Sequence, residues 1–274
     1  MIHPPTSRVR VRVFGDSEAA GGVGAKARTI ARAVCDAGFV AGARVIKADG
    51  RTSVYSAEVA GYGVVVKTLA LDRLKDRFGS RFRSTRLWRQ ATGIARVRRC
   101  RVPAATAYAL VRGVNADGQQ VEALIMERVE GPTLLRAASE RSLDSRATRL
   151  LLDRLGHDIG AMASAGVFNR DHKPSNIILS RSEDGAPLPV LIDTADIRRR
   201  SRDQAIVRML AKLLIETIGT SVATSVREQV RLARSAADAA SWEHGLRELI
   251  DAVRQEIESH GDPTPRHDPF EFDS

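Results

Sequence analysis

Three residues in one short stretch carry chemistry. In Val167-Phe168-Asn169-Arg170-Asp171-His172-Lys173-Pro174-Ser175-Asn176, Asp171 precedes Lys173 by two positions and Asn176 by five, and the apolar run Ile177 to Leu179 follows at once. A second apolar run, Pro189 to Ile192, delivers Asp193. Phosphoryl transfer from Mg-ATP needs such a set. One carboxylate orients the attacking hydroxyl, and an amide oxygen and a second carboxylate supply hard ligands to Mg²⁺. A polar turn between two strands, with Asp and Asn selected for turn geometry, accounts for the same residues one at a time. It does not account for Lys173, the Asp-to-Asn spacing, or the second Asp at a strand end.

The surrounding elements must aim these groups. Leu143 to Ala165 repeats Leu150, Leu151, Leu155, Ile159 and Met162 at three- to four-residue spacing, which predicts a helix with one buried face, closed by Gly166. It feeds straight into the loop. Asp184-Gly185-Ala186-Pro187 predicts the turn between the strands carrying Asn176 and Asp193. Upstream, Arg8 to Phe14 alternates Arg and Val, the period of a half-buried strand. Gly15 to Gly24 reads as a loop without the Gly-Lys-Ser/Thr ending of a Walker-type phosphate cradle, and Ala25 to Ala37 as a helix. Val45–Ala48, Ser53–Val59 and Val64–Lys67 read as three strands with turns at Asp49-Gly50-Arg51 and Gly61–Gly63. Arg83 to Val97 suits a basic helix with Leu87, Ile94 and Val97 among its apolar positions. Thr106–Val111 and Gln120–Met126 pair through Asn115-Ala116-Asp117-Gly118. After Thr133–Ser139, helices are expected over Arg202–Ile218, Ser225–Ala240 and Glu243–Ser259. The Pro-rich, acidic tail 261–274 is expected to be disordered.

Two patterns extend beyond the single loop. Protein kinases carry H-R-D-L-x-x-x-N followed by a metal-binding Asp, and Asn169 to Asn176 matches this except at Asn169 and His172. Arg86-Leu87-Trp88-Arg89 and Val102-Pro103 add an Arg-rich helix with a Trp before a Val-Pro strand. On these residues the chain resembles the lipopolysaccharide (Kdo/heptose) kinase family, a bacterial branch of the protein-kinase-like fold, from about Val45 to about Leu214. The resemblance implies an α+β bilobal fold: an N-lobe antiparallel sheet with one main helix over 42–129 and a mostly helical C-lobe over 130–260. Residues 1–41 are then an N-terminal extension. It implies that Mg-ATP sits between the lobes. Lys67 would hold the α- and β-phosphates, and the hinge backbone at Glu127 and Val129 would meet adenine. Asn176 and Asp193 would hold Mg²⁺, Asp171 would orient the acceptor hydroxyl, and Lys173 would reach the γ-phosphate. The implied acceptor is a lipopolysaccharide core sugar. Thr194-Ala195 follows Asp193 where kinases have Phe-Gly, and no Ala-Pro-Glu occurs downstream, which favours a non-protein acceptor.

Composition narrows the partners. The 274 residues carry a formal charge of +10, mostly from Arg, and nine Arg crowd 77–101. Such a balance favours anionic partners: a phosphorylated sugar, an anionic glycolipid, or the inner face of a membrane. Solvated Arg side chains are the plain alternative. No zinc-finger or aromatic RNA-binding signature accompanies the charge, so nucleic acid is not expected. Two Cys, no apolar run near the ~20 residues of a membrane span, and an N-terminus unlike a signal peptide point to the reducing cytoplasm.

The departures keep a second reading open. Many kinases clamp the strand Lys with a helix Glu, yet no Glu lies between Lys67 and Glu122, and Leu87 or Gln90 falls near the expected place. The glycine-rich loop is reduced to Gly50. Together with Asn169 these features fit a pseudokinase that binds nucleotide or a partner without chemistry. Asp171, Asn176 and Asp193 argue for an enzyme. A kinase of another small molecule or of protein would use the same lobes.

Overall fold

The structure is a computed structural model that describes residues 10–14, 21–39, 43–115 and 118–261. The expected tail over 262–274, part of the Gly-rich loop and the tip of the 115–118 turn lie outside the described residues. The chain divides into two units, Met1–Ile94 with Ala105–Arg128, and Ala95–Ala104 with Val129–Ser274.

The first unit is built on a six-stranded antiparallel sheet, β1 (Arg10–Val13), β2 (Arg44–Asp49), β3 (Thr52–Val59), β4 (Tyr62–Ala70), β5 (Ala107–Val114) and β6 (Gln120–Glu127), in the order β1-β5-β6-β4-β3-β2. Helices α1 (Gly21–Asp36), α2 (Leu74–Arg81) and most of α3 (Arg86–Arg99) accompany it. Period-two alternation decides which residues face which helix. Val64 and Val66 of β4 join Ala109, Val111, Ala123 and Ile125 against Ile30, Ala31 and Val34 of α1, forming a closed apolar cluster. The described part of residues 1–41 takes part in this unit: β1 pairs with β5, Arg10 opposite Arg112, and α1 contributes to the apolar cluster. Helix α1 begins at Gly21, four residues before the Ala-rich run that predicts it, and Gly38 past its end takes the left-handed φ of 61°. Leu87, Ile94 and Val97 of α3 are buried as expected. Basic charge dominates the sequence over α2, where no helix is expected although Leu74, Phe78 and Phe82 stand four residues apart.

The second unit is mostly helical: α4 (Leu134–Ser139), α5 (Ser145–Ser164), α6 (Arg202–Ile215), α7 (Val226–Ala240) and α8 (Leu246–Glu258), with two small two-stranded sheets. Asp144 caps α5, its carboxylate accepting the Ala147 N–H. Leu151, Leu155, Ile159 and Met162 are buried, whereas Leu150 is 46% exposed, because it falls on the far edge of that stripe. Helix α7 lies so close to α5 that a Cβ on Gly156 would stand 2.5 Å from the Leu232 carbonyl. One on Gly160 would stand 2.5 Å from the Ala236 carbonyl. Small residues at four-residue spacing are what permit that approach.

Candidate active site

The loop predicted to do the chemistry hangs between two short strand pairs of the second unit. β7 (Val167–Asn169) enters it and pairs with β10 (Ile197–Arg199), Asn169 opposite Ile197. A single 3₁₀ turn over Pro174–Asn176 leaves it, with Pro at the first position, where its missing N–H costs nothing. β8 (Ile177–Arg181) then pairs with β9 (Pro187–Leu191), Ile177 opposite Leu191. The ladder continues one step further, since the Ile192 N–H donates to the Asn176 carbonyl at 3.0 Å. Asn176 and Asp193 therefore leave the same end of one hairpin. Their placement comes from strand register, with Asn176 in the 3₁₀ turn and Asp193 just past β9 rather than inside the strands.

Within the loop the amides fix the carboxylates. Asn176 Nδ2 donates to the Asp171 carbonyl at 3.0 Å, which commits its nitrogen inward and leaves Oδ1 as the atom for a cation. Asp193 Oδ1 accepts the Ala195 N–H at 3.1 Å, a local turn that holds the side chain at the strand end. Lys173 Nζ lies 3.7 Å from Asp171 Oδ1, both side chains more than a third exposed, so the cation stands beside the candidate base in contact with solvent. An amide oxygen and a carboxylate at one hairpin end suit a hard divalent ion that also takes phosphate oxygens and water. Among the described residues no cluster of three or more His, Cys, Asp or Glu forms an all-protein metal cage.

Three residues that the sequence reading left without a role hold this loop. Asn169, fully buried, stands where kinases have His: its Nδ2 donates to the Asp193 carbonyl at 3.3 Å and its Oδ1 accepts the Asp171 N–H at 3.2 Å. One side chain thus ties the backbone of the candidate base to that of the candidate metal ligand. Glu216, at the end of α6, takes both Ser175 donors, the N–H at 2.8 Å and the hydroxyl at 2.6 Å. No spacing signal links residues 175 and 216 in the sequence; the pair exists because α6 packs beside the loop. His172 is buried, neither ring nitrogen meets a partner, and desolvation pushes its pKa down to about 4. It fills the apolar place that Leu takes in the kinase pattern, as a neutral ring.

The other predicted residues belong to the first unit or to its junction with the second. Lys67 lies half-buried on β4, opposite Leu124 and on the sheet face away from the α1 cluster. Glu127 ends β6; its N–H donates to the Thr106 carbonyl at 2.8 Å and its carboxylate accepts the Thr106 N–H at 3.1 Å, so that side chain serves the sheet. Val129, half-buried, is the first residue of the second unit after β6. Gln90, near the place expected for a helix Glu, is buried with its amide 3.3 Å from Met126 Sδ. Among the described residues of this unit, the buried carboxylate is on a strand instead. Glu122 is fully buried, pairs with Arg112 at 2.9 Å, and accepts the Thr85 hydroxyl, while Thr85 Oγ1 accepts the Trp88 N–H at 3.1 Å. Glu122 thereby fixes the start of α3 through its capping Thr.

Known proteins resemble this chain in sequence and in fold. The sequence pattern of the lipopolysaccharide kinase (Kdo/WaaP) family matches residues 46–235. No curated protein matches the chain in a direct sequence search. Among solved structures, one described as WaaP in complex with acyl carrier protein superposes with a TM-score of 0.60 at 18% identity, covering 91% of this chain and 98% of that one. The fold is therefore protein-kinase-like.

Proposed function

The chain belongs to the lipopolysaccharide kinase (Kdo/WaaP) family and is a kinase, and from that premise we propose that it transfers the γ-phosphate of Mg-ATP to a hydroxyl of a lipopolysaccharide-core sugar or a similar acceptor. The observation that carries this reading is Asn169, whose two hydrogen bonds hold Asp171 and the Asp193 segment in one rigid unit. Asp171 orients the acceptor hydroxyl and takes its proton late, since the transition state is loose and most of the catalysis is positioning and charge stabilisation. Lys173, beside it, faces the charge on the transferred phosphoryl group. Asn176 Oδ1 and the Asp193 carboxylate would hold Mg²⁺, which when bound neutralises charge on the phosphate oxygens. Lys67 is assigned to the α- and β-phosphates, and the backbone around Glu127 and Val129 to adenine. Use of ATP places the reaction in the cytoplasm. Among the described residues no helix is long and apolar enough to cross a membrane, and the exposed Arg residues of 77–101 suit an anionic acceptor or membrane face.

Substitution separates the roles. Asp171→Ala should remove transfer by a factor of about 10² to 10⁴ while Mg-ATP affinity in calorimetry stays near that of the parent. Asn176→Ala should weaken both. The absence of a Glu at Gln90 favours a second reading, a pseudokinase. That reading wins where the parent binds Mg-ATP yet turns over no faster than Asp171→Ala with any acceptor sugar or with water.

A further inference from the structure

Helix α2 turns its apolar stripe outward. Leu74 is 71% exposed, Phe78 59% and Phe82 71%, which makes them three of the most exposed large apolar side chains among the described residues. Their four-residue spacing stacks them on one side of the helix, and the rings of Phe78 and Phe82 lie 6.4 Å apart and nearly parallel. The polar side of the segment is what faces the protein. Ser80 is buried, its carbonyl accepts from Arg112, and Arg77 Nε donates to the Leu71 carbonyl at 3.0 Å. So α2 is anchored with its aromatic face presented. Around it, Arg73, Arg77, Arg81, Arg83, Arg86 and Arg89 are all exposed. The two carboxylates beside it, Asp72 and Asp76, share one partner, Arg51.

We propose that α2 and the turn after it form a membrane-docking patch, in which Leu74, Phe78 and Phe82 enter the headgroup boundary of an anionic bilayer while the surrounding Arg residues meet lipid phosphates. Charge complementarity selects this occupant. A short apolar ridge ringed by guanidinium groups matches an interfacial element, whose apolar residues enter the headgroup boundary while its cations meet anionic lipid. Arg side chains also donate bidentately to phosphate, which fits a headgroup layer. This specifies the anionic-surface part of the function proposed above, and it does not rest on phosphoryl transfer.

The test is sedimentation of the full chain with vesicles of phosphatidylcholine alone or mixed with phosphatidylglycerol, at low and high salt, without nucleotide. The expected result is binding to anionic vesicles, at least about tenfold tighter than to neutral ones and weakened by salt. Phe78→Ser with Phe82→Ser should lower binding about tenfold or more without moving the thermal midpoint, because both rings are solvent-exposed. Arg73→Gln with Arg81→Gln, both exposed, should flatten the salt dependence. Asp171→Ala should bind vesicles as the parent does, so failure of the kinase reading leaves this one measurable. The proposal is overturned by equal binding to neutral and anionic vesicles. It is also overturned by unchanged binding of the double Phe variant, or by a large fall in its thermal midpoint. A concentration-dependent dimer that this variant abolishes, with no vesicle binding, would assign the stripe to a second copy of the chain and overturn it too.

Discussion

Replacing Asn169 by Leu tests whether the loop is held as described. Leu has the same branched four-atom skeleton, so the buried site stays filled while both amide contacts vanish. The Asp171 N–H and the Asp193 carbonyl then lose partners at 3.2 and 3.3 Å. An unsatisfied buried polar group costs about 1–3 kcal/mol. These bonds are long and only partly shielded, so the lower half of that range applies, about 2–4 kcal/mol for the two. For a chain of this size that is a fall of about 5–15 °C in thermal midpoint. The effect on rate should be larger than stability alone requires, since displacing a positioned group by about 1 Å costs about a hundredfold. Asn169→His puts a ring N–H where kinases have one, so it should restore the donor to the Asp193 carbonyl and stay within about tenfold of the parent. The assays are a thermal melt beside turnover with a supplied acceptor sugar. A Leu variant that melts with the parent and turns over within about twofold of it would refute the reasoning.

Two further perturbations follow from the second unit. For His172 the unfolded ring titrates near 6.5 and the folded one at about 4, so the unfolded chain holds the extra proton between those values and stability falls as pH drops through that window, by about 3 kcal/mol in full. Burial raises the Asp158 carboxyl to about 6, which acts in the opposite sense over part of the same range. The measurement is therefore the difference between parent and His172→Leu in urea unfolding, expected to shift by about 3 kcal/mol in favour of the variant from pH 7 to pH 4, and a constant difference contradicts the assignment. Gly160→Ala places a methyl 2.5 Å from the Ala236 carbonyl and 2.6 Å from Ala239 Cβ. Overpacking of about 1–3 kcal/mol should outweigh the helix-propensity gain of about 1 kcal/mol, read as a lower urea midpoint; a rise would show that α7 yields.

Much of the site was legible because its signal is local. Asp171, Lys173 and Asn176 share one loop by covalent spacing, and Asp193 follows from a turn and a short strand. Strand and helix periods likewise gave β3, β4, α5 and α7. What stayed hidden depends on partners distant in sequence. Glu216 meets Ser175 across 41 residues, and Glu122 meets Thr85 across 37, so no window of either sequence contains the pair. Leu150 was assigned to the buried stripe because spacing alone does not say where a stripe ends. Helix α2 carries apolar residues at helical spacing, Leu74, Phe78 and Phe82, but they sit in a segment whose crowded Arg residues mask so short a period.

The pairing of β1 with β5 also sets when the first unit can be finished. Arg10 waits for Arg112 and Val13 for Ala109, and the sheet strand next to β5 ends at Glu127. A chain emerging from a ribosome at about 5–20 residues per second carries α1, with Ile30, Ala31 and Val34 uncovered, for about 5–20 seconds before those strands arrive. The intervening hairpins β2–β3–β4 close locally and early, but the face that buries α1 is shared with β5 and β6. The N-terminal unit is thus the late-closing part of its own segment of chain, and the interval before residue 127 emerges is when holdase chaperones have most apolar surface to occupy.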